Sequence, residues 1–401
     1  MNRKQFQILV VLGLIVGGCG LWVLRSQKNS YKTTDATVAQ KVFTNFPLND
    51  VAGVHIKQSS TEINLQKVEE VWRVKERSGY PANFTEVSDL LRNVWELKPM
   101  REEKVGESQL ERLELNLSEK ATNSGMLVEF QDKDGKTLQS LTLGKKYTRS
   151  SGDSSPMGGG GFPVGRYVRV PDAKLAKVYL VGETFESLDT KPDRWLNKDF
   201  FKIEKIKSVS VTTNNAIAWH LSREKEGGEL KLADVKEGEV LDQSKAGGPG
   251  NSFSFPSFND VLGTDAAMTN LTLAKIETFE NFTYNLRIGK TSSDDTYQLS
   301  IVVEANYPKE RIKGTDEKPE DKEKLDKEFQ EGLAKLDGKL KTEKALEKWV
   351  FEVSKYVVEP LLKQRKDLFA DMKDDKKPNS AVNPLSIPGL PPDFPGISDT
   401  K

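Results

Sequence analysis

The sequence predicts an α+β protein: an N-terminal transmembrane helix followed by two similar β-rich units, each a mainly antiparallel sheet with one or two packed helices. Three observations carry this. A single apolar stretch, Phe6 to Leu24, opens the chain and has no equal further on. Short segments of apolar alternation, the pattern of half-buried strands, fill much of the remaining chain. These segments recur in the same order, so the chain reads as a duplication.

The apolar run comes first. At about 1.5 Å per residue, residues 6–24 span roughly the ~30 Å hydrocarbon layer of a lipid bilayer once, so residues 1–25 are expected to be a membrane anchor. Cys19, the only cysteine, opens two readings of it. Val16-Gly17-Gly18-Cys19 has the outline of a bacterial lipobox, in which Cys19 is lipidated and becomes the mature N-terminus. The apolar run nevertheless continues through Leu21, Trp22, Val23 and Leu24, whereas the apolar region of a cleaved leader stops at its cleavage site. That continuation favours an uncleaved signal anchor. Arg3 and Lys4 on one flank face Arg25, Lys28 and Lys32 on the other. A short basic tail is more simply kept inside while the long body is exported, which predicts a single-pass inner (cytoplasmic) membrane protein with a periplasmic body.

Composition bounds the partners. Lys+Arg and Asp+Glu are both 60, so no global basic excess tracks nucleic acid, and no nucleic-acid partner is expected. With the single cysteine inside the anchor, neither a disulfide framework nor a thiolate metal site is available to the body. Packed cores must hold the fold, and the body is long enough for two of them. Residues 26–42 are polar and aperiodic, as in a linker. Residues 43–204 make the first repeat unit and 205–373 the second. Residues 374–401 carry Pro378, Pro384, Pro388, Pro391, Pro392 and Pro395, the composition of a disordered tail.

Within the units the matches run in order. Val51, Val54 and Ile56 correspond to Ile206, Val209 and Val211; Ile63 and Leu65 to Trp219 and Leu221; Trp72 and Val74 to Leu230 and Leu232. A helix is expected next in both, with Phe84, Val87, Val94 and Leu97 matching Phe258, Val261, Met268 and Leu271. Leu141 to Lys145 then parallels Leu286 to Lys290, a strand closed by a Gly turn. Tyr167 to Val170 parallels the strand beginning at Tyr297, and Val178 to Val181 parallels Val350 to Val353. A short helix is expected to close each unit, carrying Phe185 and Leu188 or Val357 and Leu361.

This order of strand pair, Trp-Arg-Val, helix, Leu-Gly-Lys, Tyr-Val-Arg-Val and Val-Tyr-Leu-Val resembles the bacterial domain-of-unknown-function family 4340, over about Val51 to Phe369. The resemblance implies a membrane-anchored envelope protein of the kind encoded beside ABC-type transporter components and gliding-motility subunits. It supplies no catalytic residues. One departure stands out: the family's Tyr-Gly-Leu after the first helix is represented here by Leu113-Glu114-Leu115.

Two insertions distinguish the units. Ser150 to Pro163 contains Gly158-Gly159-Gly160-Gly161, without the Gly-Lys-Ser/Thr or helix start of a phosphate cradle, and reads as a flexible hairpin loop. About 308–346 in the second unit is dominated by Lys, Glu and Asp, with Leu325, Phe329, Leu333, Leu336, Leu340 and Leu346 marking a narrow apolar stripe on a helix beginning near Pro319. The stripe either packs on its own domain or docks a partner, and Leu325, Phe329, Leu333, Leu336 and Leu340 are the candidate docking residues.

The catalytic inventory is empty. His55 and His220, the only histidines, fall in predicted strands without ligands at metal spacing. No Gly-x-Ser-x-Gly elbow appears. The acidic pairs Glu102-Glu103, Asp294-Asp295 and Asp374-Asp375 are expected on solvated surface. No catalytic, metal or cofactor site is therefore assigned, and the expected role is a non-catalytic accessory or scaffold subunit with membrane-protein partners. The alternative is an extracytoplasmic glycan- or peptide-binding module, which needs an exposed aromatic groove from among Trp72, Trp95, Trp195 and Trp219. A carboxylate-based hydrolase ranks third.

Overall fold

Val54 and Ile56 point inward from β1 (Gly53–Gln58) and are fully buried. They are opposed on one side by Leu65 and Ile63 of β2 (Thr61–Val68) and on the other by Phe130 and Val128 of β6 (Met126–Gln131). The period of two thus sends one row of side chains into the core and leaves His55 and Lys57 on the outer face. With β3 (Val71–Val74), β4 (Tyr80–Pro81), β5 (Pro99–Glu103), β7 (Thr137–Thr148), β8 (Pro163–Val170) and β9 (Lys177–Val181), an antiparallel sheet forms in the order β4-β3-β2-β1-β6-β7-β8-β9-β5. The computed structural model describes residues 41–118, 123–148, 162–171, 176–214, 216–312 and 317–370. The predicted anchor, Cys19, the Gly158–Gly161 run and the Pro-rich tail lie outside the described residues, among which no helix is long and apolar enough to cross a membrane.

The second sheet contains β10 (Ile206–Thr213), β11 (Ala216–Ser222), β12 (Lys231–Leu232), β13 (Asp260–Gly263), β14 (Thr272–Thr278), β15 (Phe282–Lys290), β16 (Thr296–Ala305) and β17 (Val350–Ser354). Its order, β12-β11-β10-β14-β15-β16-β17-β13, is that of the first sheet without a counterpart of β4. Register agrees as well as order. Val209 lies between Leu221 and Ile276 as Val54 lies between Leu65 and Phe130. Leu143 faces Val168 and Ile288 faces Leu299, so Gly144 and Gly289 occupy the same place.

Among the described residues five α-helices join these strands: α1 (Phe84–Trp95), α2 (Glu107–Leu110), α3 (Gln243–Gly250), α4 (Pro319–Lys344) and α5 (Lys355–Leu362). The side chain of Asn83 caps α1, accepting from the N–H groups of Thr85 and Glu86, and Val87, Leu90, Leu91 and Val94 form its buried stripe. The helix expected over Phe258 to Leu271 is not there. Val261 pairs with Phe351 in β13, and Phe258 packs against other aromatics. The counterpart of α1 is α3, as the caps show: Asp242 accepts from the N–H groups of Ser244 and Lys245, the same two positions that Asn83 serves in its own helix. The preceding residues agree too, for Ala82 bridges Leu196 and Leu241 bridges Phe369. The apolar spacing from 258 to 271 was coincidental, while α3 hid in Gln-Ser-Lys-Ala-Gly-Gly-Pro-Gly, whose three glycines and internal proline are poor helix formers.

A left-handed turn also repeats. Glu114 has φ 55° and Asn270 φ 51°, and each follows the residue whose carbonyl abuts the shared strand glycine, Leu113 behind Gly144 and Thr269 behind Gly289. The departure from the family's Tyr-Gly-Leu now has a physical meaning, since glutamate occupies a conformation that favours glycine and asparagine. Glu114→Asn is expected to raise stability by up to about 1 kcal/mol. A urea midpoint lower than that of the parent chain would sink this reading.

Residues of both sheets share one hydrophobic cluster. Where the units meet, Tyr80 is fully buried against Phe258, Trp349 and Phe351, with ring centroids 5.9, 5.2 and 6.0 Å away. Beside them Arg77 grips Asp260 with two bonds of 2.6 Å. The last described segment is lashed to the loop before α3: Arg365 bonds Glu239 at 2.7 Å, and the Ala370 N–H donates to the Val240 carbonyl. The Arg365 guanidinium first, and the Lys236 N–H second, hold the Glu239 carboxyl down to about 2. This contribution to stability is complete above the ordinary 4.5 and is lost as pH falls from there through about 2.

Candidate docking surface

Helix α4 has two halves with different surroundings. In the C-terminal half, Leu333, Leu336 and Leu340 are half-buried against the core and Leu346 just beyond is buried. Glu343 is buried here, accepting from the Tyr284 hydroxyl at 2.8 Å and from the Lys202 N–H at 3.2 Å. Burial raises its pKa, and it also raises that of Tyr284, as expected when the charged forms lose water. The preceding strap holds both halves: the Tyr307 hydroxyl donates to Asp337 at 2.6 Å in the C-terminal half, and Arg311 joins Glu317 to Asp326 in the N-terminal half. Leu325 is 37% exposed and Phe329 half-buried, with Ile312 of the strap 88% exposed.

The five stripe residues are therefore divided. Leu333, Leu336 and Leu340 serve the protein's own core, and Leu325 and Phe329 are left as the apolar tip. Strand β16 is the sheet element that packs against the helix.

Of the four tryptophans weighed for an aromatic groove, Trp195 and Trp219 are buried, their indole N–H groups donating to the carbonyls of Asp189 and Lys363. Trp72 is buried at the floor of a cleft of about 480 Å³, and Trp95 stands at its edge, with Leu48, Val51, Leu91 and Phe84 around them. The ammonium of Lys41 sits 3.3 Å from the centroid of the Trp95 ring, a cation–π contact.

His55 has company that its neighbours in sequence did not reveal. Its Nδ1 lies 3.0 Å from Glu129 and its Nε2 3.2 Å from Glu62, both brought over by flanking strands. The three groups lie on the outer sheet face, and among the described residues no cluster of His, Cys, Asp and Glu could hold a metal ion. Glu103 pairs with Arg101 on β5, and Asp294 with Lys290. Asp374 and Asp375 lie outside the described residues.

Neither the curated proteins nor the solved structures give a match to this chain. A family model does, over residues 72–271, from β3 of the first sheet to the residue before β14 of the second. The doubled sheet, the repeated cap and the repeated left-handed turn thus belong to a chain that is a member of the family described as a domain of unknown function, DUF4340.

Proposed function

We propose that this chain is a membrane-anchored, non-catalytic envelope protein that holds membrane-protein partners, as an accessory or scaffold subunit of an ABC-type transporter-associated complex. The apolar run 6–24 and the family resemblance support the setting, with the body on the periplasmic side. The observation that carries the docking role is the division of α4. A helix absent from the first unit is fixed at one end to its own core, while the other end keeps Leu325 and Phe329 accessible. A purely structural insertion has no use for that apolar tip. Buried aliphatic and aromatic anchors would give the affinity there, and the surrounding Lys and Glu residues the selectivity.

The test separates tip from root. Leu325→Asp with Phe329→Asp is expected to leave stability within about 1 kcal/mol and to cut recovery of co-purified membrane proteins by about tenfold, the loss of a modest anchor. Leu336→Asp, at the root, is expected to destabilise by about 2–4 kcal/mol through burial of an unpaired charge. Undiminished co-purification by a folded tip variant would remove the docking role.

The peptide-binding alternative also keeps a foothold, through the cleft between Trp72 and Trp95.

A further inference from the structure

The duplication supplies an internal control for that cleft. From the common cap, Phe84 corresponds to Gln243, Leu91 to Gly250 and Trp95 to Ser254, and by strand register Trp72 corresponds to Leu230. In the second unit the helix closes down: a Cβ on Gly250 would lie 2.6 Å from Leu230 Cδ1. At the equivalent positions the second unit therefore carries Gln243 and Ser254 in place of the two aromatics, its exposed Phe255 lying beyond the end of the helix. In the first unit the helix stands off, and Phe84 and Trp95 remain 68% and 39% exposed. Exposed aromatic surface that the fold itself can do without points to a ligand.

Charge narrows the ligand. The cleft is lined by Lys67 and Arg92 with no carboxylate, and the acids bonded to them, Glu70 and Asp89, stand outside its lining. An adjoining cleft of about 560 Å³ shares Asn49, Val51 and Lys67 but is dominated by acids, among them Asp50, Glu69, Asp132 and Asp134. The two clefts adjoin at these three residues, so an aromatic, cationic half lies beside an acidic half that also holds Lys133 and Glu70, the partner of Lys67, and together they form a trough. The aromatic lining would suit a sugar ring as well as a side chain, but a neutral sugar does not match the change of sign from one cleft to the other. An extended polypeptide matches both.

We propose that this trough binds a polypeptide segment of a partner, with an apolar side chain between Trp72, Phe84 and Trp95, an adjacent carboxylate received by Lys67 and Arg92, and basic residues further along over the acidic half. The proposal rests on the reading of the chain as a holder of protein partners, and adds a second, separate contact to the tip of α4. Lys41 lies over the Trp95 ring, and an incoming segment displaces that contact.

The test uses the full chain in detergent, labelled with 5-fluorotryptophan, the Trp95 resonance being identified by its loss in Trp95→Ser. The probes are acetyl-Asp-Phe-Gly-Lys-Lys-amide, its charge-reversed form acetyl-Lys-Phe-Gly-Asp-Asp-amide, and a disaccharide of N-acetylglucosamine. The first peptide is expected to shift the Trp95 signal saturably and to bind about tenfold more tightly than the reversed one, with the preference inverted in Lys67→Glu/Arg92→Glu. Phe84→Gln, which installs the second unit's residue, is expected to weaken binding while the chain stays folded. The Leu325→Asp/Phe329→Asp chain should give an unchanged titration, so failure of tip docking and failure of the trough are told apart. No shift up to about 10 mM, a limit of about 3 kcal/mol of binding energy, would overturn the proposal. So would equal affinity for the two peptides, or a response to the disaccharide alone.

Discussion

Trp349→Ala is expected to lower the unfolding free energy by about 3–5 kcal/mol, the range for deleting a fully buried large aromatic. Trp349 is 2% exposed and packs edge-on against Tyr80, so it joins the end of the insertion to the other unit's sheet. Removing the indole leaves a cavity that Phe258 and Phe351 cannot fill, because each already packs against Phe200 and against the other. Urea unfolding measures the loss. Combining the change with Tyr80→Ala should show a coupling of about 0.5–1.5 kcal/mol from the aromatic pair. Strict additivity of the two losses would mean that the units are not held together through these rings.

Gly144→Ala comes second, with an expected loss of about 2–3 kcal/mol from overpacking. A Cβ there would lie 2.3 Å from the Leu113 carbonyl oxygen and 2.7 Å from Leu115 Cδ2, both on a loop pinned by the Lys145 N–H to Leu113 carbonyl bond. Backbone cannot retreat without losing that bond. Its counterpart Gly289→Ala meets the end of the Gln298 side chain at 3.0 Å and the Thr269 carbonyl only at 3.4 Å, so a rotamer change absorbs it and the loss should stay below about 1 kcal/mol. Equal losses at the two sites would show that the turns behind them are not built as described.

The strands and their duplication were legible in the sequence because period-two alternation is local, and a residue such as Val54 announces its burial through its near neighbours. The match of Val54 with Val209 and of Gly144 with Gly289 holds in register. Helix α3 was not legible. Its stability comes from the Asp242 cap and from close contact with Leu230, and neither leaves an apolar period. The docking stripe of α4 was legible as a stripe, but which of its residues face the core is decided by tertiary packing, which holds Leu333, Leu336 and Leu340 against it. Glu62 and Glu129 around His55 were invisible for a similar reason, since cross-strand neighbours are assigned by register. The aromatic cleft was half visible: the tryptophans could be named, but their exposure depends on how closely a helix sits on a sheet.

The joint between the units also bears on assembly. The two sheets meet head to tail, each using a different surface, so an unused copy of either surface remains at the far ends of the pair. Such an arrangement could in principle add members without limit and grow into a fibre. The end residues forbid it. Where the joint has Tyr80, the outer end has Glu239, already committed to Arg365. Where the joint has Asp260, Phe258, Trp349 and Phe351, the opposite end has Arg101 paired with Glu103, Pro99, Lys177 and Tyr179. The aromatic wall is reduced to a single tyrosine, and proline with charged neighbours blunts the bare edge of β5. The pair is thus sealed at two, and polymerisation by this route would require aromatic side chains at both ends at once.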